Sequence, residues 1–337
     1  MPLHLKLFAE IVHERELQQV NFTTVNDLYG VFWEEKQRRI RRRLGHACRW
    51  TDVIDTLCDY MSQQQQQDLF VPVDILDKFQ EDVDAMVTEH VLILIKDNKE
   101  YAFFHHSFFD YAFARRFFAR GYRLINWLQE GEQHLFRRSQ IRQILIYSRG
   151  RESQPSSQYI NDLQNLLTNR NVRFHIKHVV FALLKEVSDP MEEEWEILFT
   201  LLKDESYGLS RWAWYTIANS AAWFQLLDAQ LDLISTWLQG EDEEWVQRAF
   251  FLLARVQEHF PDRCAELVEP YVGRSERWNE RFVQLVQVAY IEAEIGSGRK
   301  FFDLFLRLID EGILDNVGKH SQISDRDVWQ LLSSMYK

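Results

Sequence analysis

The sequence predicts a mainly α-helical fold in which a small module with one β-hairpin is followed by an α-solenoid of helical hairpins. Three observations support this prediction. Apolar residues recur at helical spacing over most of the 337 residues, two adjacent runs have the composition of β-strands, and the second half contains a loose repeat of long helices. We therefore predict a first domain over residues 1–121 and a solenoid domain over residues 122–337.

The composition is that of a soluble globular protein, with 46% hydrophobic and 27% charged residues. No run approaches about 18 uncharged apolar residues, and the N-terminus lacks the pattern of a secretory signal. We therefore expect a cytoplasmic location and no membrane partner. The three cysteines are few and widely spaced, which favours reduced, packed thiols over a disulfide framework or a zinc site.

The net charge of -12 is distributed unevenly along the chain. Residues 1–150 contain 20 Lys and Arg against 21 Asp and Glu, whereas residues 151–337 contain 19 against 30. Excess carboxylates repel a phosphate backbone, so this charge disfavours nucleic-acid binding by the second half. The eleven histidines show no persuasive ligand spacing, and we expect no metal site.

The first domain is predicted to begin with helices. Thr23 or Thr24 can cap the first long helix, which Gly45 should end. A second helix is predicted over residues 51–62. The next segment predicts a short helix and then another that ends near His90.

The strongest strand signal follows these helices. Val91–Ile95 and Tyr101–Phe104 are rich in β-branched and aromatic residues, and the polar run Lys96–Glu100 separates them as a turn. A very aromatic helix is predicted next, over residues 107–120. Helix, helix, helix and hairpin is the order of a winged-helix module, which we predict within residues 22–120.

Winged helices often contact DNA through the helix before the hairpin. Here that helix contains four carboxylates, at Glu81, Asp82, Asp84 and Glu89. Phosphates would be repelled by this helix, which disfavours DNA binding. The basic cluster Arg38–Arg43 keeps a nucleic-acid binder open as a further alternative, although cations at a helix C-terminus also have a structural role.

The second domain is predicted to be a series of helical hairpins. An arginine opens each long apolar helix, at Arg142, Arg173, Arg211, Arg248 and Arg281. The predicted partner helices are Glu194–Lys203, Phe224–Leu238, Cys264–Val272 and Phe301–Ile309. The arginines are 31, 38, 37 and 33 residues apart, within the range of helical-hairpin repeats. Such hairpins bury their apolar faces by stacking on their neighbours.

Two of these repeats resemble HEAT repeats. They are DESYGLSRWAWYTIA at 204–218 and GEDEEWVQRAFFLLA at 240–254, where acidic loop residues precede an arginine and an alanine. The resemblance implies that the arginines form a structural ladder with acidic residues of neighbouring repeats. The four candidates are Arg173, Arg211, Arg248 and Arg281. Alternatively, these arginines face the concave surface and bind an acidic ligand or peptide.

The first domain has a second resemblance, carried by PLHL at 2–5, FTTVNDLY at 22–29 and FFHHSFFDYAFAR at 103–115. In this order, with a winged helix between the last two, they resemble the C-terminal part of the nucleotide-binding module of STAND-class, NACHT-like ATPases. The resemblance covers roughly the first 120 residues. It implies that Pro2 packs on an adenine and that His105 senses the terminal phosphate of bound ADP.

The departure from that family is large, because no G-x-x-x-x-G-K-S/T string and no magnesium-binding acidic strand end occur in the sequence. We therefore predict that this chain is not an enzyme, has no catalytic residues and holds no cofactor by itself. ATP or ADP is expected only in a longer parent protein, or with an ATPase core supplied upstream or in trans.

These patterns leave three functional hypotheses. The first is a non-catalytic regulatory and sensor portion of a STAND-like NTPase. It would couple nucleotide state to protein recognition by the solenoid, with defence signalling as the setting that the resemblance implies. The second is a stand-alone α-solenoid adaptor that binds a protein or peptide. The third is a winged-helix nucleic-acid binder.

Overall fold

The computed structural model describes residues 7, 24–63, 69–97, 99–150, 157–204, 208–287 and 298–314. The predicted mainly helical class is confirmed. None of the described helices combines the length and the apolar character needed to cross a membrane. The chain divides into two compact units, a first unit of residues 1–180 and a second unit of residues 181–337. The first compact unit thus includes several helices beyond residue 121. The domain boundary at 121–122 stays a prediction.

The first unit contains helices and one small sheet. Its helices are α1 (Val25–Leu44), α2 (Trp50–Gln63), α3 (Gln80–Thr88), α4 (His106–Ala119), α5 (Leu124–Glu130), α6 (Arg137–Arg149) and α7 (Ser157–Thr168), with a 3-10 segment at Val73–Phe79. Its strands are β1 (Val71–Pro72), β2 (Leu92–Ile95) and β3 (Glu100–Phe103). Helix α8 (Phe174–Glu186) crosses the division between the units.

Helix α1 begins and ends where the sequence predicts. The Thr24 hydroxyl accepts a hydrogen bond from the Asp27 backbone N–H at 3.1 Å, and the Asp27 carboxylate accepts one from the Thr24 N–H at 2.8 Å. This reciprocal arrangement satisfies two donors at the start of the helix. Gly45 ends the helix in the left-handed region, at φ 70°, a conformation that glycine adopts without steric cost.

The sheet contains the predicted hairpin and one additional strand. Strands β2 and β3 pair antiparallel, with Leu92 opposite Phe103, which confirms the hairpin. Strand β1 pairs with β3 on the other side, giving the order β1-β3-β2. The prediction of one hairpin with only a short helix before α3 was therefore incomplete. A two-residue strand shows no period-two pattern, and Pro72 cannot donate a ladder hydrogen bond, which fits its edge position.

Aromatic side chains from α1, β3 and α4 form the core of the first unit. Phe108 is fully buried, and its ring centroid lies between 5.0 and 6.2 Å from six other rings. These rings belong to Tyr29, Phe32, Trp33, Phe103, Phe104 and Tyr111. Helix α4 also packs against α2 and α6, so it is held on several sides within this unit.

The second unit consists of helices in its described part. They are α9 (Glu192–Lys203), α10 (Ser210–Ala218), α11 (Ala221–Gln225), α12 (Leu233–Gln239), α13 (Glu243–Val256), α14 (Pro261–Val268), α15 (Glu276–Gln287) and α16 (Arg299–Asp310), with a π-helical segment at Leu226–Gln230 and a 3-10 turn at Glu269–Tyr271. Helix α10 packs on α13 and α13 on α15, while α12 packs on α14 and α14 on α16. These helices therefore form two layers.

The prediction of one continuous helix over Phe224–Leu238 is wrong, because a π-helical segment and a turn interrupt the α-helix there. A π-helical segment, Leu226–Gln230, follows α11, and the Leu231 N–H bonds the Leu226 carbonyl at 3.1 Å. Asp232 then adopts a left-handed conformation with φ 49° before α12 begins. Asp tolerates this region better than most residues do, because its short side chain can hydrogen-bond locally.

Asp162 of α7 makes the stability of the first unit depend on pH. It is 6% exposed, its Oδ2 has no hydrogen-bond partner among the described residues, and burial raises its pKa to about 6, against a weaker opposing effect of Arg123. The folded pKa exceeds the unfolded value, so this carboxyl favours folding when protonated, and that contribution is lost as pH rises from about 4 to about 6.

We expect Asp162→Asn to raise the free energy of unfolding at pH 8 by about 2 kcal/mol and to have a much smaller effect at pH 4. Urea denaturation at the two pH values measures this difference. Asp52→Asn, which changes an exposed carboxylate, is the matched control and should leave both values nearly unchanged. Equal stabilities of the wild type and Asp162→Asn at pH 8 would contradict the expectation.

Candidate functional site

His105 lies between β3 and α4 and is the N-cap residue of α4. Its Nδ1 accepts a hydrogen bond from the Ser107 backbone N–H at 3.2 Å and lies 2.7 Å from Ser107 Oγ. Ser107 Oγ in turn lies 2.6 Å from the Tyr29 hydroxyl of α1. Three polar side chains therefore form a chain of hydrogen bonds at the N-terminus of α4.

This geometry determines which ring nitrogen of His105 carries the proton. A nitrogen that accepts a hydrogen bond is unprotonated in the neutral ring, so the proton lies on Nε2, which is a donor. Burial raises the pKa of Tyr29, the bond to Ser107 lowers it, and the charge of Asp110 raises it, so the phenol stays protonated at neutral pH. Ser107 thus holds the Nδ1 side of the His105 ring and fixes the orientation of the ring.

The structure also brings together two of the motifs on which the resemblance to STAND ATPases rests. Tyr29 is the last residue of FTTVNDLY, and Ser107 belongs to the H-x-S-F string that begins at His105. Their hydrogen bond joins residues 78 positions apart. Pro2, the other predicted nucleotide contact, lies outside the described residues.

Beside His105 a cavity of about 430 Å³ opens among α2, α4 and the start of α6. We call it the polar cavity. Phe109 and Phe136 are among its apolar walls, and its polar lining comes from Ser62, His106, Asp110, His134, Ser139 and Gln140. His106, rather than the predicted sensor His105, lines it. The sequence offers one signal for this site, since His106 and Asp110 are four residues apart on one helix and therefore share a face.

Burial is the main cause of the pKa shifts of Asp110 and His134, which line the polar cavity. Burial raises the pKa of Asp110 to about 6, although His106 and a hydrogen bond with Ser139 lower it. Burial and the charge of Arg137 lower the pKa of His134. Gln140 Oε1 and His134 Nδ1 are buried and have no hydrogen-bond partner among the described residues. The residues around the cavity therefore include a carboxyl group and two unpartnered polar atoms that are buried beneath the cavity surface.

Two of the four predicted protein-binding arginines, Arg173 and Arg211, contact uncharged residues. The Arg173 backbone N–H donates to Gln133 Oε1 at 2.8 Å, and its guanidinium donates to the Gln133 carbonyl at 3.4 Å. Arg211 lies over the Tyr215 ring, 5.3 Å from its centroid, and donates to its hydroxyl at 3.4 Å. The partners in these contacts are Gln133 and Tyr215, and neither is acidic.

The other two arginines, Arg248 and Arg281, bind carboxylates and aromatic rings. Arg248 donates to Glu244 on its own helix at 2.5 Å and lies 5.1 Å from the Trp245 ring. Arg281 of α15 pairs with Glu243 of α13, so this ion pair links two long helices of neighbouring predicted repeats. These contacts permit the ladder interpretation at Arg281, and the ladder as a whole stays a prediction.

The expectation that an arginine opens each long helix is wrong at three positions. Arg142, Arg248 and Arg281 each occupy the sixth residue of their helix, because α6, α13 and α15 begin earlier than predicted. At α13 the start is set by Asp242, whose carboxylate accepts a hydrogen bond from the Glu244 N–H at 3.0 Å. A side-chain cap, rather than the apolar run, determines where this helix begins.

The basic cluster Arg38–Arg43 lies beside two glutamates. Arg38 and Arg39 pair with Glu35 at 2.6 and 3.5 Å. Arg43 pairs at 3.4 Å with Glu89, the residue that follows α3. These carboxylates offset part of the positive charge that a phosphate backbone would need. Among the described residues, no group of His, Cys, Asp and Glu has the arrangement of a metal site.

Comparison of the chain with family models, with curated proteins and with solved structures gives no match. A functional proposal for this chain therefore depends on the geometry of its side chains and on the motifs of its sequence.

Proposed function

We propose that this chain is the non-catalytic regulatory portion of a STAND-like, NACHT-like NTPase. In this proposal the winged-helix-like first module senses a nucleotide that an ATPase core holds, either upstream in the same protein or in trans. The HEAT-like α-solenoid of residues 122–337 binds a protein or peptide partner. Defence signalling is the proposed setting.

The observation that carries the proposal is the hydrogen-bond geometry of His105 at the N-terminus of α4. Its Nδ1 is engaged by Ser107, which leaves the ring proton on Nε2. In the proposed assembly the Nε2–H of His105 donates to a phosphate oxygen, and hydrogen bonds to charged acceptors are stronger than neutral ones. Tyr29 supports the arrangement through its bond to Ser107.

The link from sensor to partner surface is proposed to pass through α4. His105 caps this helix, and α4 packs on α6. A ligand that changes the orientation of the His105 ring would change the hydrogen bond by which His105 caps α4. Such a change at a helix terminus is a physical route by which nucleotide state could bias the following helices.

The test compares His105→Asn with the unchanged protein together with its ATPase core. Asn keeps a good N-cap acceptor but removes the Nε2 donor. We expect ADP affinity of the complete assembly to fall roughly 10-fold, the range for losing a hydrogen bond to a charged group. A fluorescent ADP analogue, displaced by unlabelled ADP, measures this affinity.

Two further results would contradict the proposal. One is unchanged ADP affinity in His105→Asn. The other is a coding region before Met1 with no P-loop ATPase, together with the absence of an ATPase that copurifies with the chain. The isolated chain should show no saturable ADP binding in either case, because its sequence has no phosphate-cradling loop.

The stand-alone adaptor remains a second candidate because α10 exposes aromatic side chains. Trp212 is 37% exposed and Tyr215 is 39% exposed, and aromatic residues are enriched at protein interfaces. This candidate would gain support if no ATPase core exists in cis or in trans. The nucleic-acid binder lacks comparable support, since Glu35 and Glu89 pair with the basic cluster.

A further inference from the structure

Helices α10 and α13 of the second unit present a surface that combines arginines with aromatic rings. Residues 211, 214 and 215 are three or four positions apart on α10 and share one side of it, and residues 248, 251 and 255 do the same on α13. The Trp214 ring centroid lies 6.4 Å from that of Phe251 and 5.3 Å from the guanidinium carbon of Arg248, so the two sides are continuous. We call this surface the arginine-aromatic face, formed by Arg211, Trp214, Tyr215, Arg248, Phe251 and Arg255.

The charged and aromatic groups of this face are accessible from solvent. Arg211, Tyr215 and Arg255 are exposed, while Trp214 and Phe251 are partly exposed. A partner therefore reaches both the charges and the rings without a change in the fold. Arginine, tryptophan and tyrosine are also the residue types in which the energetic centres of protein interfaces are enriched.

Two guanidinium groups of the face have an oriented plane and no carboxylate partner. Arg211 lies 5.3 Å from the Tyr215 ring centroid and Arg255 lies 5.2 Å from that of Phe251. Neither arginine forms an ion pair within the described part of the chain, whereas Arg248 is paired with Glu244. Stacking on a ring orients a guanidinium and leaves N–H groups at its edge for an oxygen anion.

The charge of the face is opposite to that of the chain around it. Residues 151–337 contain 30 Asp and Glu against 19 Lys and Arg. The acidic run Glu241–Glu244 leads into α13, and the exposed Glu258 follows the end of that helix. A long polyanion such as a nucleic acid would meet these carboxylates and be repelled. A short acidic segment, in contrast, pairs with Arg211 and Arg255 and ends before it reaches them.

We propose that the arginine-aromatic face binds a short acidic segment of a partner protein. Carboxylates of that segment pair with Arg211 and Arg255, and an aromatic side chain between them lies on Trp214 and Phe251. A carboxylate accepts two N–H groups from one guanidinium, so the geometry of the arginines selects this anion. The inference rests on the part of the proposed function that assigns partner binding to residues 122–337, and it names the chemistry of the partner.

The test titrates the full chain into a fluorescein-labelled peptide in which glutamates flank one phenylalanine, followed by fluorescence anisotropy. Two control peptides carry glutamine or lysine in place of the glutamates. We expect saturable binding of the glutamate peptide alone, and we expect it to weaken as salt rises, because exposed ion pairs are screened. The proposal would be overturned by no saturable binding of this peptide, by equal affinity for a control peptide, or by tighter binding of a single-stranded oligothymidine.

Arg211→Gln and Arg255→Gln should each weaken binding of the glutamate peptide about 5-fold, as the loss of an exposed ion pair implies. Both side chains are exposed, so the melting temperature should stay unchanged. Arg274→Gln is the matched control, because Arg274 is exposed and lies 5.4 Å from the Tyr271 ring centroid but belongs to neither α10 nor α13. Unchanged affinity in both variants of the face, or an equal loss in Arg274→Gln, would contradict the proposal.

The peptide and nucleotide experiments fail independently. Peptide binding needs only this chain, whereas ADP binding needs the ATPase core. Binding of the glutamate peptide without a His105-dependent ADP affinity would support the arginine-aromatic face and refute the sensor. The reverse pair of results would refute the arginine-aromatic face alone.

Discussion

Phe108→Ala is expected to lower the free energy of unfolding of the first unit by about 4 kcal/mol. Phe108 is fully buried and contacts six aromatic rings from α1, β3, the segment after β3, and α4 itself. Its removal would leave a cavity whose walls are rigid rings, and such walls collapse poorly around the lost volume. Urea denaturation followed by tryptophan fluorescence measures the loss, with Trp33 as a reporter in the same cluster.

Phe118→Ala is the matched control, because Phe118 lies on the same helix but is only partly buried. It contacts Phe117 and Tyr147, at 5.7 and 5.9 Å between ring centroids. Its loss should cost less than half as much as the loss of Phe108, since less apolar area returns to water. Similar costs for the two variants would show that burial in the aromatic cluster is not what stabilises this unit.

The same cluster connects stability to the candidate site. Phe108 is the third residue of α4, one position after Ser107 and three after His105. Packing of its ring against Tyr29 also brings the Tyr29 hydroxyl to Ser107. The polar chain at the N-terminus of α4 is therefore held by apolar contacts, and a core variant here would disturb ligand contacts as well as stability.

Elements that depend on local signals could be predicted from the sequence. The cap at Thr24 and the stop at Gly45 act within one or two turns, so neighbouring residues alone determine them. The hairpin was equally accessible, because its two strands and the turn between them are consecutive.

Elements that depend on contacts between residues far apart in the sequence could not be predicted from the sequence. Strand β1 has only two residues and exists because β3 offers it an edge, with Val71 opposite Tyr101. The break near Asp232 is another example, because the apolar pattern continues through it and gives no sign of a π-helical segment. Tertiary packing therefore overrides the local pattern at both places.

The candidate site could be predicted only in part, because its sequence motif is local whereas its geometry depends on contacts between distant residues. The H-x-S-F string identifies His105 as a residue of interest, yet the tautomer depends on Ser107 geometry that a sequence does not contain. The polar cavity needs α2, α4 and α6 to be placed first, since Met61, Asp110 and Gln140 come from three separate helices. Only after these helices are placed is it visible that Gln140 Oε1 has no hydrogen-bond partner among the described residues.

Arg263→Ala is expected to lower the free energy of unfolding of the second unit by about 2 kcal/mol, below the range for breaking a fully buried ion pair, because the Arg263 side chain is 42% exposed. Asp228 lies in the π-helical segment and is 7% exposed. It accepts two hydrogen bonds from Arg263 of α14, at 2.8 Å from Nε and 2.9 Å from Nη2. Without the guanidinium, the buried Asp228 carboxylate would lose both of these hydrogen bonds.

The double variant Asp228→Asn with Arg263→Ala separates charge from packing. If the unpaired carboxylate causes the loss, the neutral amide should restore more than half of it, because an amide is far cheaper to bury than a charge. If instead the stem of Arg263 stabilises by packing, the double variant will be no more stable than Arg263→Ala. Urea denaturation of both variants at pH 7.5 distinguishes the two cases, and equal stabilities would contradict the ionic explanation for this part of the fold.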